Sequence, residues 1–299
     1  MRKEKNLFAG IEAGGTKFIC GIGTQDGEIL AETRIPTTTP ADTLSRCVDF
    51  FEEQRARFGD FSAIGVASFG PLDPRLASVK YGHILPTPKS GWSNADIVGM
   101  LRKAFDLPIG FDTDVNGAAL GEWRWGAAKG VDNFIYLTIG TGVGGGAMVN
   151  SKLMHGLLHP EMGHIPLPKD DDAISVCPFH DDCFEGLASG PAIEKRWGLK
   201  AEMLDARHPA WEAEASLIAR ALRSFICTLS PERIILGGGV MEQSHLFPII
   251  REKTLAELNG YVQSVQILER INEYIVPVAL EGKAGILGAF VLAERAMNL

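Results

Sequence analysis

A chain of 299 residues, 45% hydrophobic and 22% charged, has the balance of a globular protein with a sizeable core, which excludes disorder, collagen and coiled coil. Lysine and arginine number 29 against 37 aspartate and glutamate, so the formal charge is −8 and no basic groove for nucleic acid is expected. Five cysteines form a sparse, odd set suited to a reducing compartment, while 34 glycines exceed the roughly 21 of an average chain of this length. The length suggests about two domains.

The first 35 residues read as three strands, over 7–11, 18–22 and 28–35, joined by turns at Ala13-Gly14-Gly15-Thr16 and Gln25-Asp26-Gly27. No apolar leader precedes them, so no signal peptide is expected and a cytoplasmic location follows. Pro40 and Asp42 open a helical pattern through Leu44, Val48 and Phe51 that ends near Gly59. A buried strand over 63–67 breaks at Phe69-Gly70-Pro71, and Asn94 is expected to cap a helix carrying Ile97, Val98, Leu101 and Phe105. A strand over 107–111 and an Ala-rich helix over 115–125 follow. Strand, Gly140-Thr141-Gly142 turn and strand then repeat the opening pattern about 125 residues on, which suggests a degenerate two-fold repeat. These glycines also interrupt the longest charge-free stretch, so no membrane span is expected. Residues 155–191 turn to His, Pro, Asp and Cys with little regular structure, the mark of a functional loop. A long amphipathic helix over 212–229, a strand over 233–236 ending in Gly237-Gly238-Gly239, and helices over 247–258 and 284–295 complete an α/β protein.

Three glycine turns stand out, at Gly14-Gly15-Thr16-Lys17, Gly140-Thr141-Gly142 and Gly237-Gly238-Gly239. Glycine lets backbone amides converge on an anion, but for each turn taken singly a tight hairpin is the commoner explanation. Together they suit the two ends of one polyphosphate nucleotide. Asp112-Thr113-Asp114-Val115-Asn116-Gly117 spans a strand-to-helix junction. Asp114 there is either a helix cap or the carboxylate that accepts a hydroxyl proton during phosphoryl transfer. His164, Cys177, His180 and Cys183 fall within 20 positions, and two thiols with two imidazoles make a closed tetrahedral zinc site. His155 and His159 are spare candidates for the same ion. A zinc clamp would hold Glu161 and Glu185, which are otherwise solvated acids of an Asp-rich loop.

Taken together, these residues resemble the ROK family of sugar kinases, and within it the zinc-containing bacterial fructokinase branch. The resemblance runs over the whole chain through Gly10 to Lys17, Asp112 to Gly117, Ile139 to Gly146, and His159-Pro160-Glu161-Met162-Gly163-His164 on to Cys183-Phe184-Glu185-Gly186 and Pro191. It implies an actin-like ATPase (ribonuclease H-like) fold of two α/β domains with a central cleft and a zinc-binding loop. The expected division is 1–118, completed by the terminal helix 284–299, against 119–283, which carries the zinc loop 155–191.

The resemblance makes Asp114 the catalytic base of an ATP-dependent hexose kinase, most specifically one converting D-fructose to D-fructose 6-phosphate. Gly70, Asn116, Glu161, His164 and Glu185 fall at the sugar, and His164 doubles as a zinc ligand. Gly14, Gly15, Thr16, Lys17, Gly140, Thr141 and Gly142 fall at the phosphates. Pro191, Gly237, Gly238, Gly239, Val240 and Met241 fall at the other end of the nucleotide. Mg²⁺ arrives with ATP, held mostly by phosphate oxygens and water, and one structural Zn²⁺ per chain and a homodimer are the family expectation. The partners are thus ATP and a hexose, with no nucleic acid and no membrane.

Three departures matter. Glu12 stands where the wider family carries Asp, and its extra methylene moves the carboxylate by about 1.5 Å relative to Mg²⁺. Thr113 replaces the Asn of many glucokinases, and His180 replaces a third Cys, leaving a chemically sound Cys₂His₂ set. Other readings are a kinase for glucose, mannose or another hexose, and a non-catalytic sugar sensor. A DNA-binding regulator is not expected, because the first strand begins by Leu7 and the chain is acidic.

Overall fold

A computed structural model describes residues 6–169 and 173–298; the opening pentapeptide, three residues of the 155–191 loop and residue 299 lie outside them. The chain forms two compact units, one of Met1–Lys129, Met154–Pro160 and Leu280–Leu299, the other of Gly130–Leu153 and Glu161–Ala279.

The first unit is built on β1 (Leu7–Ala13), β2 (Lys17–Thr24), β3 (Ile29–Pro36), β4 (Ala63–Ser68) and β5 (Ile109–Thr113). Their order is β3-β2-β1-β4-β5, with the two hairpin pairings antiparallel and β1–β4 and β4–β5 parallel. α1 (Pro40–Phe58) starts where the Thr39 side chain accepts from the Asp42 amide and Pro40 presets the first turn, and it stops at Gly59. Its stripe of Leu44, Cys47 and Phe51 packs with Ile11, Phe18 and Val66 in one core. α2 (Ile97–Ala104) is capped by Asp96, whose Oδ1 accepts from the Gly99 amide at 2.7 Å, and not by Asn94. Asn94 sits two residues earlier at φ 62, where its amide donates to Ile84 O. Asn tolerates that left-handed turn, which leaves the cap to the next short acid.

α3 (Asp114–Trp125) follows β5 without a break, and α10 (Ala284–Ala296) covers the other face of the sheet through Phe8, Ile286, Leu287, Phe290 and Ala293. Glycine permits this approach. A methyl group at Gly65 on β4 would overlap the Ala289 carbonyl, and one at Gly288 would overlap the Gly117 carbonyl. Part of the glycine excess therefore serves helix-on-sheet packing as well as turns. Gly65→Ala should cost about 3 kcal/mol, because a backbone cannot give way as a side-chain tip can. Chemical denaturation checks this; a loss under 1 kcal/mol would mean that the helix moves freely off the sheet.

The second unit carries β6 (Phe134–Ile139), β7 (Val143–Val149), β8 (Lys152–Leu153), β9 (Arg233–Gly237) and β10 (Ile275–Pro277). Read from the β8 end, the order is β8-β7-β6-β9-β10, again with two antiparallel and then two parallel pairings. Strand for strand this is the topology of the first sheet, so the repeat suggested by the glycine turns is a duplicated fold unit. β8 and β10 escape detection in the sequence because two or three residues show no periodicity, and Pro277 is tolerated at a sheet edge.

The 155–191 loop is more ordered at its end than expected. It contains a 3₁₀ turn at Met162–His164, α4 (Phe184–Ala188) and the start of α5 (Gly190–Trp197). α4 and α5 are short, so capping rather than apolar periodicity defines them: the Cys183 side chain accepts from the Gly186 amide, and Pro191 stands in the first turn of α5. α6 (Ala210–Leu229) and α7 (Leu246–Leu258) pack on each other, and α8 (Val265–Leu268) and α9 (Ile271–Tyr274) lead into β10. Among the described residues no helix is long and apolar enough to cross a membrane.

Candidate active site

In the first unit the chemistry gathers at the β5–α3 junction. Asp114 is the first residue of α3, and its Oδ1 accepts from the Val115 amide at 2.9 Å. The helix cap itself is Thr113, whose hydroxyl accepts from the Asn116 amide at 3.1 Å. Asp114 is therefore not required as the cap and stands half-buried at the positive end of the helix. Behind it, buried Asp112 accepts from the Thr113 amide at 2.8 Å and from Asn116 Nδ2 at 2.7 Å. Gly70, joined to Pro71 by a cis peptide, lies against His159, whose Nε2 accepts from the Leu72 amide at 3.2 Å.

Glu12, at the end of β1, has its Oε2 shielded and without a hydrogen bond, and a side chain at Gly285 would overlap its carboxylate. Burial first, and then the Asp114 charge, push Glu12 up to about 7, against the pull of Lys17. Because the folded-state value is raised, ionising Glu12 costs stability as pH climbs from the ordinary carboxylate range to 7, and the cost is complete above that. Glu12→Gln should thus be more stable than the natural chain at pH 8, by on the order of 2 kcal/mol, and no more stable near pH 4. Melting curves at the two pH values check the sign.

The Gly14–Lys17 segment is a tight hairpin turn: the Gly14 amide donates to Lys17 O at 3.0 Å, and Thr37 Oγ1 donates to Gly14 O at 2.8 Å. Thr16 and Lys17 are exposed at its tip, so hairpin geometry and availability to an anion coexist.

In the second unit a cavity of about 360 Å³ is lined by Gly140, Thr141, Gly190, Pro191, Gly239 and Val240. The Gly190 amide donates to Gly140 O at 2.7 Å, which docks the N-terminus of α5 on the β6–β7 turn. The positive end of α5 thus borders the cavity beside the exposed Thr141. Glu194, Lys200, Glu202 and Glu242 also line it; scattered over three segments, they left no pattern in the sequence. Gly142, Gly237, Gly238 and Met241 do not line it. Gly142 faces Glu185, Gly237 packs on Val278, Gly238 holds φ 89 against Ile139, and Met241 is buried.

The metal-type residues come together. One ligand atom from each of His164, Cys177, His180 and Cys183 lies within 4.8 Å of every other. Cys177 Sγ is 3.6 Å from His180 Nδ1 and 3.9 Å from His164 Nδ1. Tetrahedral zinc spaces sulfur and nitrogen ligands about 3.6 Å apart, so these two pairs already stand near the spacing the ion needs. Burial raises the Cys183 thiol to about 11, and zinc bound as thiolate would displace that proton. His155 and His159 stand outside this cluster: they belong to the Met154–Pro160 segment of the first unit.

The same loop sets Glu185. Its Oε2 accepts from the Val143 amide at 2.9 Å, and its Oε1 stands 4.0 Å from His164 Nε2. Nδ1 of His164 thus faces the thiol while Nε2 faces the carboxylate. Glu161 is exposed just ahead of the 3₁₀ turn, and its carbonyl accepts from the His164 amide at 3.0 Å.

The family model for the ROK family matches residues 8–296. The chain belongs to the ROK family. Among curated ROK relatives, the fructokinase of Zymomonas mobilis is 45% identical over all of both chains. The fructokinase of Pediococcus pentosaceus is 43% identical over 98% of this chain and 99% of its own. The crystal structure of the ROK hexokinase from Thermus thermophilus matches with a TM-score of 0.81 at 25% identity, covering 98% of this chain and 99% of that one. The α/β fold is that of the ROK sugar kinases, the actin-like ATPase fold.

Proposed function

We propose that this chain is an ATP-dependent fructokinase, transferring the γ-phosphoryl group of ATP to the 6-hydroxyl of D-fructose. The observation that carries the reading is full-length identity of 43% and 45% to two fructokinases. Asp114 takes the hydroxyl proton as the oxygen attacks phosphorus in line and ADP leaves. One carboxylate suffices, because phosphoryl transfer depends mainly on positioning and charge neutralisation. The exposed Thr141 hydroxyl and the positive end of α5 suit the nucleotide phosphates, and Thr16 and Lys17 at the tip of the Gly14–Lys17 turn supply further donors. Mg²⁺ bound with ATP neutralises phosphate charge.

On the sugar, Asn116, Gly70, Glu161, His164 and Glu185 serve recognition. The 4.0 Å gap between His164 Nε2 and Glu185 Oε1 suits one sugar hydroxyl that accepts from the ring N–H and donates to the carboxylate. A structural Zn²⁺ on His164, Cys177, His180 and Cys183 would fix the His164 ring with Nδ1 bound and Nε2–H free. Cytoplasmic location and a homodimer belong to the same reading.

Coupled assays with fructose, mannose and glucose offered separately test it. Fructose should give the highest kcat/KM. A preference for glucose or mannose reassigns the sugar, and no ATP turnover with any hexose ends the kinase reading.

A further inference from the structure

His155 was expected, if anything, near zinc. It lies instead in the first unit, where its Nε2 is 2.8 Å from Asp112 Oδ2. Asp112 is 3% exposed, and its other oxygen carries both hydrogen bonds that tie the junction ahead of Asp114, to the Thr113 amide and Asn116 Nδ2. A buried carboxylate so placed needs a compensating cation.

The Met154–Pro160 segment supplies it. The segment is held to the first unit by two histidines, His155 at Asp112 and His159 at the Leu72 amide, although the chain on either side belongs to the second unit. His159 Nδ1 faces Pro160 O at 3.4 Å, and its Nε2 accepts from the Leu72 amide. His155 is the opposite case, with Nε2 as donor to a carboxylate.

We infer that His155 is a positioning residue for phosphoryl transfer: as the counter-charge to buried Asp112, it holds the Asp112–Asn116 turn from which Asp114 projects. The inference rests on the kinase reading above. Nothing in the C-x₂-H-x₂-C spacing or the glycine turns points to it; only the tertiary contact does.

Around the pair stand Asn116 on α3, whose Nδ2 is 3.4 Å from His155 Nε2, and Arg295 on α10, which acts on both partners. Arg124 and Glu294 flank Arg295. Burial acts to lower the His155 value, but the hydrogen bond and charge of Asp112 outweigh it and hold the ring above the ordinary histidine range. Because the folded-state value is raised, the pair is fully present at low pH and is lost as pH rises through that value. Turnover should therefore fall on the alkaline side.

The test is steady-state kinetics of the full chain from about pH 6 to 9. His155→Gln keeps a donor but no charge, and should lower kcat at least tenfold at pH 7 with the KM for ATP within twofold and zinc retained. His155→Arg, a permanent cation, should recover most of the loss and lack the alkaline fall that belongs to residue 155. The double variant Asp112→Asn/His155→Gln should be no slower than Asp112→Asn alone, because a neutral amide needs no counter-charge. Glu12 titrates in all of these variants, so differences between them isolate the pair. His155→Gln with natural kcat and an unchanged alkaline limb overturns the inference, as do additive losses in the double variant or a loss that tracks zinc content. Turnover by the natural chain tests the kinase reading; the ratio of variant to natural chain tests this one.

Discussion

Asp114→Asn should lower kcat for fructose phosphorylation by about a thousandfold, within the range that a positioned general base contributes. The substitution keeps the size and the acceptor oxygen that takes the Val115 amide, and Thr113 still caps α3, so the fold at the junction should hold. Fructose affinity, read by calorimetry, should change by less than fivefold, because the base matters when the hydroxyl proton leaves and not when the sugar docks. A variant that turns over normally would mean that another group takes the proton. Loss of sugar binding together with turnover would mean that Asp114 serves recognition. A sugar sensor would bind fructose with either residue and hydrolyse no ATP with either.

The second large effect concerns the loop that carries the proposed zinc ligands. Cys183→Ser should remove stoichiometric zinc, read by elemental analysis, and raise the KM for fructose at least tenfold with a smaller change in the KM for ATP. The proposed ligands all lie between His164 and Cys183, in the loop that also carries Glu161 and ends at Glu185. Four ligands on so short a stretch place most of its order on one ion, since a structural zinc site contributes folding free energy directly. Chelation of the natural protein should open 161–185 to protease before nucleotide binding weakens. Protein purified without chelator and found free of zinc would end this reading, as would a chelated protein with unchanged proteolysis.

The legible parts share one property: residues close in the chain carry them. Hairpins at Gly14–Lys17 and Gly140–Gly142, the α1 cap and stop, and the strand-to-helix step at Asp114 are decided by glycine, proline and capping chemistry within a few residues. The cluster of His164, Cys177, His180 and Cys183 was legible for the same reason. Where the reading failed, two local solutions competed or the element was too small. Asn94 and Asp96 are both good caps, and packing of the turn on Ile84 chose between them. β10 lies 38 residues beyond its partner β9, and three residues ending in proline show no pattern.

His155 marks the boundary most clearly. Its residue type, in a loop rich in ligand-type residues, made it no more than a spare candidate for zinc, and nothing within ten residues offered it another role. Asp112, 43 positions earlier, did so by lying 2.8 Å away and buried. Glu12 is similar: the sequence exposes its departure from Asp, while burial beside Asp114 and against Gly285 sets its charge. Local backbone preference and side-chain chemistry thus fixed the turns, the ligand set and the family. Ionisation, cavity lining and the partner of each buried charge depend on desolvation and on contacts distant in sequence, and those arise only when the chain is packed.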